Sequence, residues 1–380
     1  MKELNKVGSF SLSVGMASDI GIALQCNAAK PDPNLTLVER ERRRRCSAFS
    51  SLALSKSLPW TTLAQLEHGT FLENIATRSN GDILTTELWP SAAIYTIRNP
   101  HTGHNSLQKL FSVPSIQSIY GLTQVKSSRR GTETFIFVGG NSTSPGNTIT
   151  GSFGAWAVDF DLLNNVFQLR KVSDMGTDSR FLNGVTALLG ISDIVPVADS
   201  TNGLVGRLNI TTGIFDTSAF RYPLEMDPVE GARLPIGVNG IKIRGGHLYW
   251  TNSFQASIYR IAITPNGYPA KGNRPEIVAD LSNGVGFLDD FSFDVRGNIY
   301  AATNLDNSIV RIDITTKAWK TIIGGIGEMT VPGCTSVVFG HRSLENEILY
   351  VSTSGAIATP VNGTETEGAK VVAIKLGGWI

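Results

Sequence analysis

The sequence predicts an all-β fold, and more particularly a six-bladed β-propeller. Three observations lead to this prediction: alternating polar and apolar residues, repetition of one meander along the chain, and 39 glycines without any periodic helix of useful length. The alternation is clearest from Phe291 onward, where Gly297-Asn298 and the segment NLDNS at 304–308 separate three short strands. Strand-length runs of period two between such turns are typical of a β-meander.

Copies of this meander follow one another along the chain. Six copies begin, in order, at Glu73, Tyr120, Asn183, Asn239, Asp289 and Cys334, at intervals of 47, 63, 56, 50 and 45 residues. Repeats of roughly 40–50 residues with several strands each are typical of propeller blades rather than of a sandwich. We expect the segment WTTLAQL at 60–66 to supply the outer strand of the last blade and close the ring, which removes exposed sheet edges.

The predicted domain organisation is an N-terminal leader, residues 1–55, followed by the propeller, residues 56–380. The leader contains the basic run ERERRRR at 39–45, which we interpret as a solvated, flexible segment, with a basic interaction tag as the alternative. Its apolar stretch resembles a signal sequence only faintly, because Asp19 interrupts it. The three cysteines imply no disulfide framework, so we expect a cytoplasmic protein, with secretion as the alternative.

The net charge and the hydropathy of the chain argue against some classes of binding partner. A formal net charge of +1 creates no global field that would attract nucleic acid or an anionic membrane. No run approaches the roughly 18 uninterrupted apolar residues of a membrane span. We therefore expect a small-molecule partner, and the sequence leaves the oligomeric state open.

The first residues of the repeats predict a polar site on the propeller axis. The innermost strand of each blade lines the central channel, so Glu73, Asn183, Asn239 and Asp289 are expected to converge there. Carboxylates and carboxamides form a set of hard oxygen donors that matches Ca²⁺ or Mg²⁺. The alternative is that Asn-Gly recurs because it makes a turn into each strand. Turn chemistry does not account for the two acidic residues, which favours the axial site.

Four short segments resemble the core of the SMP-30/gluconolactonase-like six-bladed propellers: LEN at 72–74, LNG at 182–184, VNG at 238–240 and LDD at 288–290. The resemblance implies a divalent metal held by Glu73, Asn239 and Asp289, with Asn183 contacting the substrate beside it. It also implies that Asp289, the proposed base of the lactonases, points into the channel. Asp290 would then turn outward or support its neighbour.

One position departs from that family's pattern. The lactonases carry a sugar-gripping arginine two positions before the third-blade asparagine, where this chain has Phe181, with Arg180 displaced by one. Around the mouth we also expect a set of aromatic residues, namely Tyr120, Trp89, Trp156, Trp250 and Phe287. A cluster of aromatic side chains without the arginine favours a bulky, apolar substrate.

The repeats FLENIATRSNGDILTTE and DDFSFDVRGNIYAATN resemble the fungal branch of this family. Its secondary-metabolism members include hetero-Diels–Alderases, which join a tropolone quinone methide to a humulene-type terpene. The resemblance implies a pericyclase that requires no cofactor, with Ca²⁺ or Mg²⁺ at the axis left open. Its catalysis would rest on orientation and on a hydrogen bond to the dienone oxygen from Asn183, Asn239, Tyr120 or Arg180. A divalent-metal-dependent lactone hydrolase and a non-catalytic binding propeller are the alternatives.

Overall fold

The computed structural model describes residues 58–103, 105–164, 166–341 and 347–377. These residues form six four-stranded antiparallel sheets, which confirms the six-bladed propeller. The leader predicted at 1–55 lies outside the described residues. No helix among the described residues is long and apolar enough to cross a membrane.

Each sheet is one blade, and in each blade the chain runs from the inner strand outward. The described chain begins with β1 (Trp60–His68), and blade 1 follows with β2 (Phe71–Thr77), β3 (Ile83–Trp89), β4 (Ala93–Ile97) and β5 (Gln108–Ser112). Blade 2 contains β6 (Ser118–Val125) and β7 (Thr132–Gly140), then a separate hairpin of β8 (Ser142–Ser144) and β9 (Asn147–Thr148), then β10 (Gly154–Asp161) and β11 (Phe167–Asp174). Blade 3 contains β12 (Leu182–Val185), β13 (Ile194–Asp199), β14 (Leu204–Asn209) and β15 (Phe215–Phe220).

The second half of the ring follows the same plan. After the short helix α1 (Pro223–Met226), blade 4 contains β16 (Val238–Arg244), β17 (His247–Asn252), β18 (Ser257–Ala262) and β19 (Glu276–Asp280). Blade 5 contains β20 (Phe291–Phe293), β21 (Ile299–Ala302), a 3₁₀ turn at Asn304–Asp306, β22 (Ser308–Ile312) and β23 (Trp319–Gly324). Blade 6 contains β24 (Cys334–Phe339), β25 (Ile348–Thr353) and β26 (Gly368–Lys375), with β1 as its outer strand.

The ring is closed by the pairing of β1 with β26. The two strands run antiparallel, from Trp60 opposite Ile374 to His68 opposite Gly368. The expectation for the segment at 60–66 is thereby confirmed. Blade 6 is built from both ends of the propeller sequence, and the edge that β26 would otherwise expose is covered.

Close contact between inner strands explains the glycine that follows the first residue of three repeats, namely Tyr120, Asn183 and Asn239. Gly121, Gly184 and Gly240 lie within β6, β12 and β16, and none of them has a positive φ. A Cβ added to Gly121 would lie 2.1 Å from the carbonyl oxygen of Asn183, and one added to Gly184 would lie 2.2 Å from that of Asn239. The turn interpretation of the Asn-Gly pairs is therefore wrong: only glycine allows the neighbouring blades to approach this closely.

Threonine hydroxyls hold the first residues of two repeats in register between blades. Thr86 of β3 donates to the carbonyl oxygen of Tyr120 at 3.1 Å, and Thr251 of β17 donates to that of Asp289 at 2.8 Å. Each bond joins the second strand of one blade to the first residues of the next. The backbone around the axis is therefore fixed by contacts that do not use the axial side chains.

Candidate functional site

A cavity of about 300 Å³ lies on the propeller axis. Its floor is polar and consists of Glu73, Asn183, Asn239, Asp289 and Asn304. The first four are the axial residues expected from the sequence, and the structure brings all of them to this one cavity. They come from blades 1, 3, 4 and 5, so the site exists only when the ring is complete.

Apolar side chains form the walls between this floor and the mouth. The wall residues are Phe71, Leu88, Phe181, Leu234, Ile236, Phe254, Phe287, Leu305 and Ile357. Phe254 and Phe287 pack edge to face, with ring centroids 5.0 Å apart and an interplanar angle of 82°. A ligand must therefore pass a belt of aromatic and aliphatic groups before it reaches the polar floor. We call these residues the apolar belt.

Two asparagines clamp the carboxylate of Asp289 from either side. Asn239 Nδ2 donates to Asp289 Oδ1 at 2.9 Å and to Ser253 Oγ at 2.9 Å, and Asn304 Nδ2 donates to Asp289 Oδ2 at 2.9 Å. The Oδ1 atoms of both asparagines are buried and have no hydrogen-bond partner. The amide hydrogens of Asn239 are thus both bonded to protein groups. Asn239 therefore offers a ligand its Oδ1 as an acceptor, rather than the donor expected from the sequence.

The acidic groups of the floor hold protons more tightly than usual. Burial raises the pKa of Glu73 well above its ordinary value, and the negative charges of Asp289 and Asp290 raise it further, against a hydrogen bond from Asn183. Burial also raises the pKa of Asp289 to about 7, despite the hydrogen bond from Asn304. The charged forms are disfavoured because the carboxylates are desolvated and close together.

Asp290 lies behind the floor and ties four blades together. Its carboxylate accepts hydrogen bonds from Asn74 Nδ2 at 3.1 Å and from Ser336 Oγ at 3.0 Å, and it pairs with Lys242 Nζ at 2.5 Å. The side chain is only 7% exposed. Of the two positions expected for Asp290, the structure therefore shows the supporting one. Asp289 faces the cavity, and Asp290 anchors the strand that presents it.

Two of the predicted donors do not reach the cavity. Tyr120 is buried behind the wall: its ring packs edge to face on Phe181 with centroids 5.1 Å apart, and its hydroxyl hydrogen-bonds Ser142 Oγ at 2.9 Å. Arg180 is exposed and is absent from the cavity lining. The reason is local, because Asp199 accepts hydrogen bonds from the backbone N–H groups of both Arg180 and Phe181, which holds Phe181 in the wall and leaves Arg180 outside.

The three tryptophans expected at the mouth lie in or beside the blade cores. Trp250 of β17 is fully buried, stacks on Tyr259 with centroids 5.8 Å apart, and donates to the carbonyl oxygen of Glu225 at 3.0 Å. Trp156 of β10 stacks on Phe137, and Trp89 packs at the edge of the core between blades. None of the three is among the residues that line the cavity. Phe181 and Phe287, by contrast, line the cavity as expected.

Sequence reasoning missed Asn304 and Arg233. Asn304 lies two residues after the second strand of blade 5 and Ser253 directly follows that of blade 4, and aligning the segments LYWTNS at 248–253 and IYAATN at 299–304 would have indicated Asn304. Arg233 lies between blades 3 and 4 in a segment without periodicity, where no repeat signal exists. Both line the cavity.

The described residues contain no group of three or more His, Cys, Asp or Glu side chains placed to hold a metal ion. The oxygen-rich floor differs from such a group because asparagines supply much of it. Two unpartnered amide oxygens beside two carboxylates are the type of oxygen ligand that a hard divalent cation prefers. They equally fit the hydrogen-bond donors of an organic ligand.

Fold and site together define a six-bladed propeller with a polar-floored cavity on its axis. No family model matches the chain. By sequence it is similar to a protein of Phoma sp described as "Putative hetero-Diels-Alderase", with 25% identity over 350 residues that cover 85% of this chain and 92% of that protein. A second protein of this description, from Sarocladium schorii, is 26% identical over 333 residues, which cover 80% of each chain.

Solved structures of similar shape are more distant in sequence. A luciferin-regenerating enzyme superposes with a TM-score of 0.59 at 12% identity, over 85% of this chain and 96% of that chain. A calcium-binding regucalcin of Agrobacterium tumefaciens superposes with a TM-score of 0.56 at 13% identity, over 84% of this chain and 95% of that chain. At these identities the likeness concerns the fold alone.

Proposed function

We propose that the protein is a hetero-Diels–Alderase-type pericyclase that joins a tropolone quinone methide to a terpene alkene in fungal secondary metabolism. The two sequence relatives support the reaction class, since each matches this chain over at least 80% of its length. The observation that carries the proposal is the apolar belt above the polar floor. In particular, Phe181 stands where a lactonase would carry an arginine for a sugar acid.

Orientation is the main contribution that this cavity can make. A cycloaddition forms its bonds without a nucleophile, so the barrier falls when diene and alkene are held at reacting distance. Correct placement of two reactants is worth up to roughly 7–11 kcal/mol. The edge-to-face pair of Phe254 and Phe287, together with Phe181 backed by Tyr120, gives the rigid walls that such placement requires.

Electrostatic stabilisation of the dienone oxygen would come from the floor. Of the four donors expected from the sequence, Asn183 alone lies in the cavity without its amide hydrogens fully assigned to protein partners. Asn304 donates one of its two amide hydrogens to Asp289 and keeps the second for a ligand. A donor fixed before the reaction strengthens as charge moves onto the oxygen in the transition state.

Loss of a wall aromatic tests the proposal. The assay supplies a quinone methide generated in solution together with a terpene alkene, and follows the cycloadduct and its stereoisomers by chromatography. Phe181→Ala should lower turnover at least about tenfold and broaden the product distribution, because reactive poses are lost. Phe167→Ala, at an outer-strand phenylalanine that is 38% exposed, is the matched control and should leave both unchanged. Equal product from wild type and Phe181→Ala would count against a role for the cavity.

The unpartnered amide oxygens favour one second candidate, a divalent-metal-dependent lactone hydrolase. Glu73, Asn239 and Asp289 would hold the ion, which would polarise a lactone carbonyl and activate water. In that case Asp289 is the residue placed to accept a proton. Hydrolysis of a simple aldonolactone that disappears on chelation would support this candidate over the pericyclase.

A further inference from the structure

Arg233 spans the mouth of the cavity from one side of the ring to the other. It belongs to the segment between β15 of blade 3 and β16 of blade 4 and lines the cavity beside Leu234. Its Nη1 donates to the carbonyl oxygen of Ala358 at 3.1 Å and to Thr359 Oγ1 at 3.4 Å. These acceptors lie between β25 and β26 of blade 6, across the ring from blade 3.

The charge of Arg233 is unmatched within the cavity lining. Among the described residues that line it, Arg233 is the single cation, and the two acidic residues lie at the opposite end, on the floor. Both hydrogen-bond acceptors of the guanidinium are neutral oxygens. A ligand oxygen that carries negative charge would form a stronger bond, because charge-assisted hydrogen bonds are roughly twice as strong as neutral ones.

The floor gives a ligand the opposite preference. In the part of the chain that the structure describes, the floor holds the carboxyl groups of Glu73 and Asp289 and no cationic side chain. The unpartnered Oδ1 atoms of Asn239 and Asn304 can accept hydrogen bonds from a ligand. The cavity is thus asymmetric along its axis, with amide and carboxyl groups at the floor, the apolar belt in the middle and a cation at the mouth. An asymmetric ligand with one acidic end can satisfy both ends in one orientation only.

We propose that Arg233 binds the two adjacent oxygens of the tropolone-type reactant and thereby sets which end of that reactant faces the mouth. The inference rests on the proposed function for the identity of the reactant. The planar guanidinium presents two parallel N–H groups, which match a pair of neighbouring oxygens in the way they match a carboxylate. The bonds to Ala358 and Thr359 give way to this pair when the reactant enters.

Tropolone itself is the probe, because it carries the oxygen pair but does not react. Its affinity is measured by titration calorimetry for wild type, Arg233→Gln, Arg233→Lys and Arg180→Gln. Arg233→Gln should weaken binding roughly tenfold or more, since a hydrogen bond to a charged group is lost. The affinity of Arg233→Lys should lie between those of wild type and Arg233→Gln, because lysine keeps the positive charge but lacks the planar pair of N–H donors. Arg180→Gln, at an exposed arginine outside the cavity, should bind within about twofold of wild type.

Two results would overturn the inference: tropolone binding within twofold of wild type in Arg233→Gln, or no tropolone binding by the wild-type protein. Thermal unfolding of each variant is the control for folding: each should melt within a few degrees of the wild-type protein, because Arg180 and Arg233 are exposed. The cycloaddition assay separates this inference from the proposed function. If Arg233→Gln turns over as fast as wild type, the role of Arg233 is refuted but the pericyclase function is not. If tropolone binding depends on Arg233 but the wild-type protein forms no cycloadduct, the pericyclase function is refuted but the binding site is not.

Discussion

At the scale of single residues, the polar floor could be anticipated but its hydrogen bonds could not. Glu73, Asn183, Asn239 and Asp289 follow from their equivalent positions in successive repeats, because those positions must face the axis. Which atom of each amide faces the ligand depends on partners such as Ser253, which lie far apart in the sequence. For this reason the sequence predicted Asn239 as a hydrogen-bond donor, whereas the structure shows it as an acceptor.

The elevated pKa of Asp289 predicts a loss of stability as pH rises. The ordinary value is near 3.8 and the folded value is about 7, so the folded protein binds this proton more tightly than the unfolded chain does. The free energy of unfolding therefore decreases between about pH 4 and pH 7 and stays lower above that range. The melting temperature should fall across this interval in metal-free buffer, and Asp289→Asn should flatten the fall. An exposed control, Asp178→Asn, should retain the wild-type slope, and an identical slope in Asp289→Asn would contradict the assignment.

Asp290 should matter more for folding than for chemistry. Asp290→Ala removes the acceptor shared by Asn74, Ser336 and Lys242, and strands these groups between four blades. Breaking a buried charged network costs about 3 kcal/mol. Denaturant titration should show a loss of this size, whereas Asp178→Ala on the surface should change stability by less than about 0.5 kcal/mol. A loss as small as the control's would show that the network contributes little.

At the scale of elements, the repeat predicted the blades well and the side-chain positions less well. The strand pattern sets six inner strands, because alternation and turn residues are local signals. The placement of Trp89, Trp156 and Trp250 required knowing which strand of each blade is innermost and which face of it meets the neighbouring blade. Single-strand alternation does not contain that information. The mouth segments, including that of Arg233, have no repeat at all and could not be predicted.

The close approach of inner strands gives a prediction at this scale. Gly184→Ala places a Cβ about 2.2 Å from the carbonyl oxygen of Asn239, so β12 and β16 must separate. Overpacking of this kind costs about 1–3 kcal/mol or more. We expect a drop in the denaturant midpoint together with weakened ligand binding, because the floor residues on both strands move. Gly327→Ala, where the nearest atom is a side-chain oxygen at 3.7 Å, is the matched control. If the two variants unfold alike, the contact argument fails.

At the scale of the whole molecule, ring closure and function are linked. The floor draws its side chains from four blades, and β1 completes blade 6 by pairing with β26. The fold alone does not decide between a pericyclase and a lactonase, since one scaffold supports many chemistries. The two functions differ in how they use the cavity. A pericyclase uses the rigid walls for orientation and the floor for hydrogen bonds to the reactant, whereas a lactonase uses the floor residues as ligands of a catalytic ion.

The most direct measurement compares two reactions under the same perturbations. Wild type, EDTA-treated wild type and Asp289→Asn are each assayed for cycloaddition of a quinone methide with a terpene alkene and for hydrolysis of a simple aldonolactone. A pericyclase predicts cycloaddition that persists after chelation and that Asp289→Asn slows by far less than the 10²–10⁴-fold typical of acid–base catalysis. Aldonolactone hydrolysis that both perturbations abolish, without cycloaddition by the wild-type protein, would contradict the account.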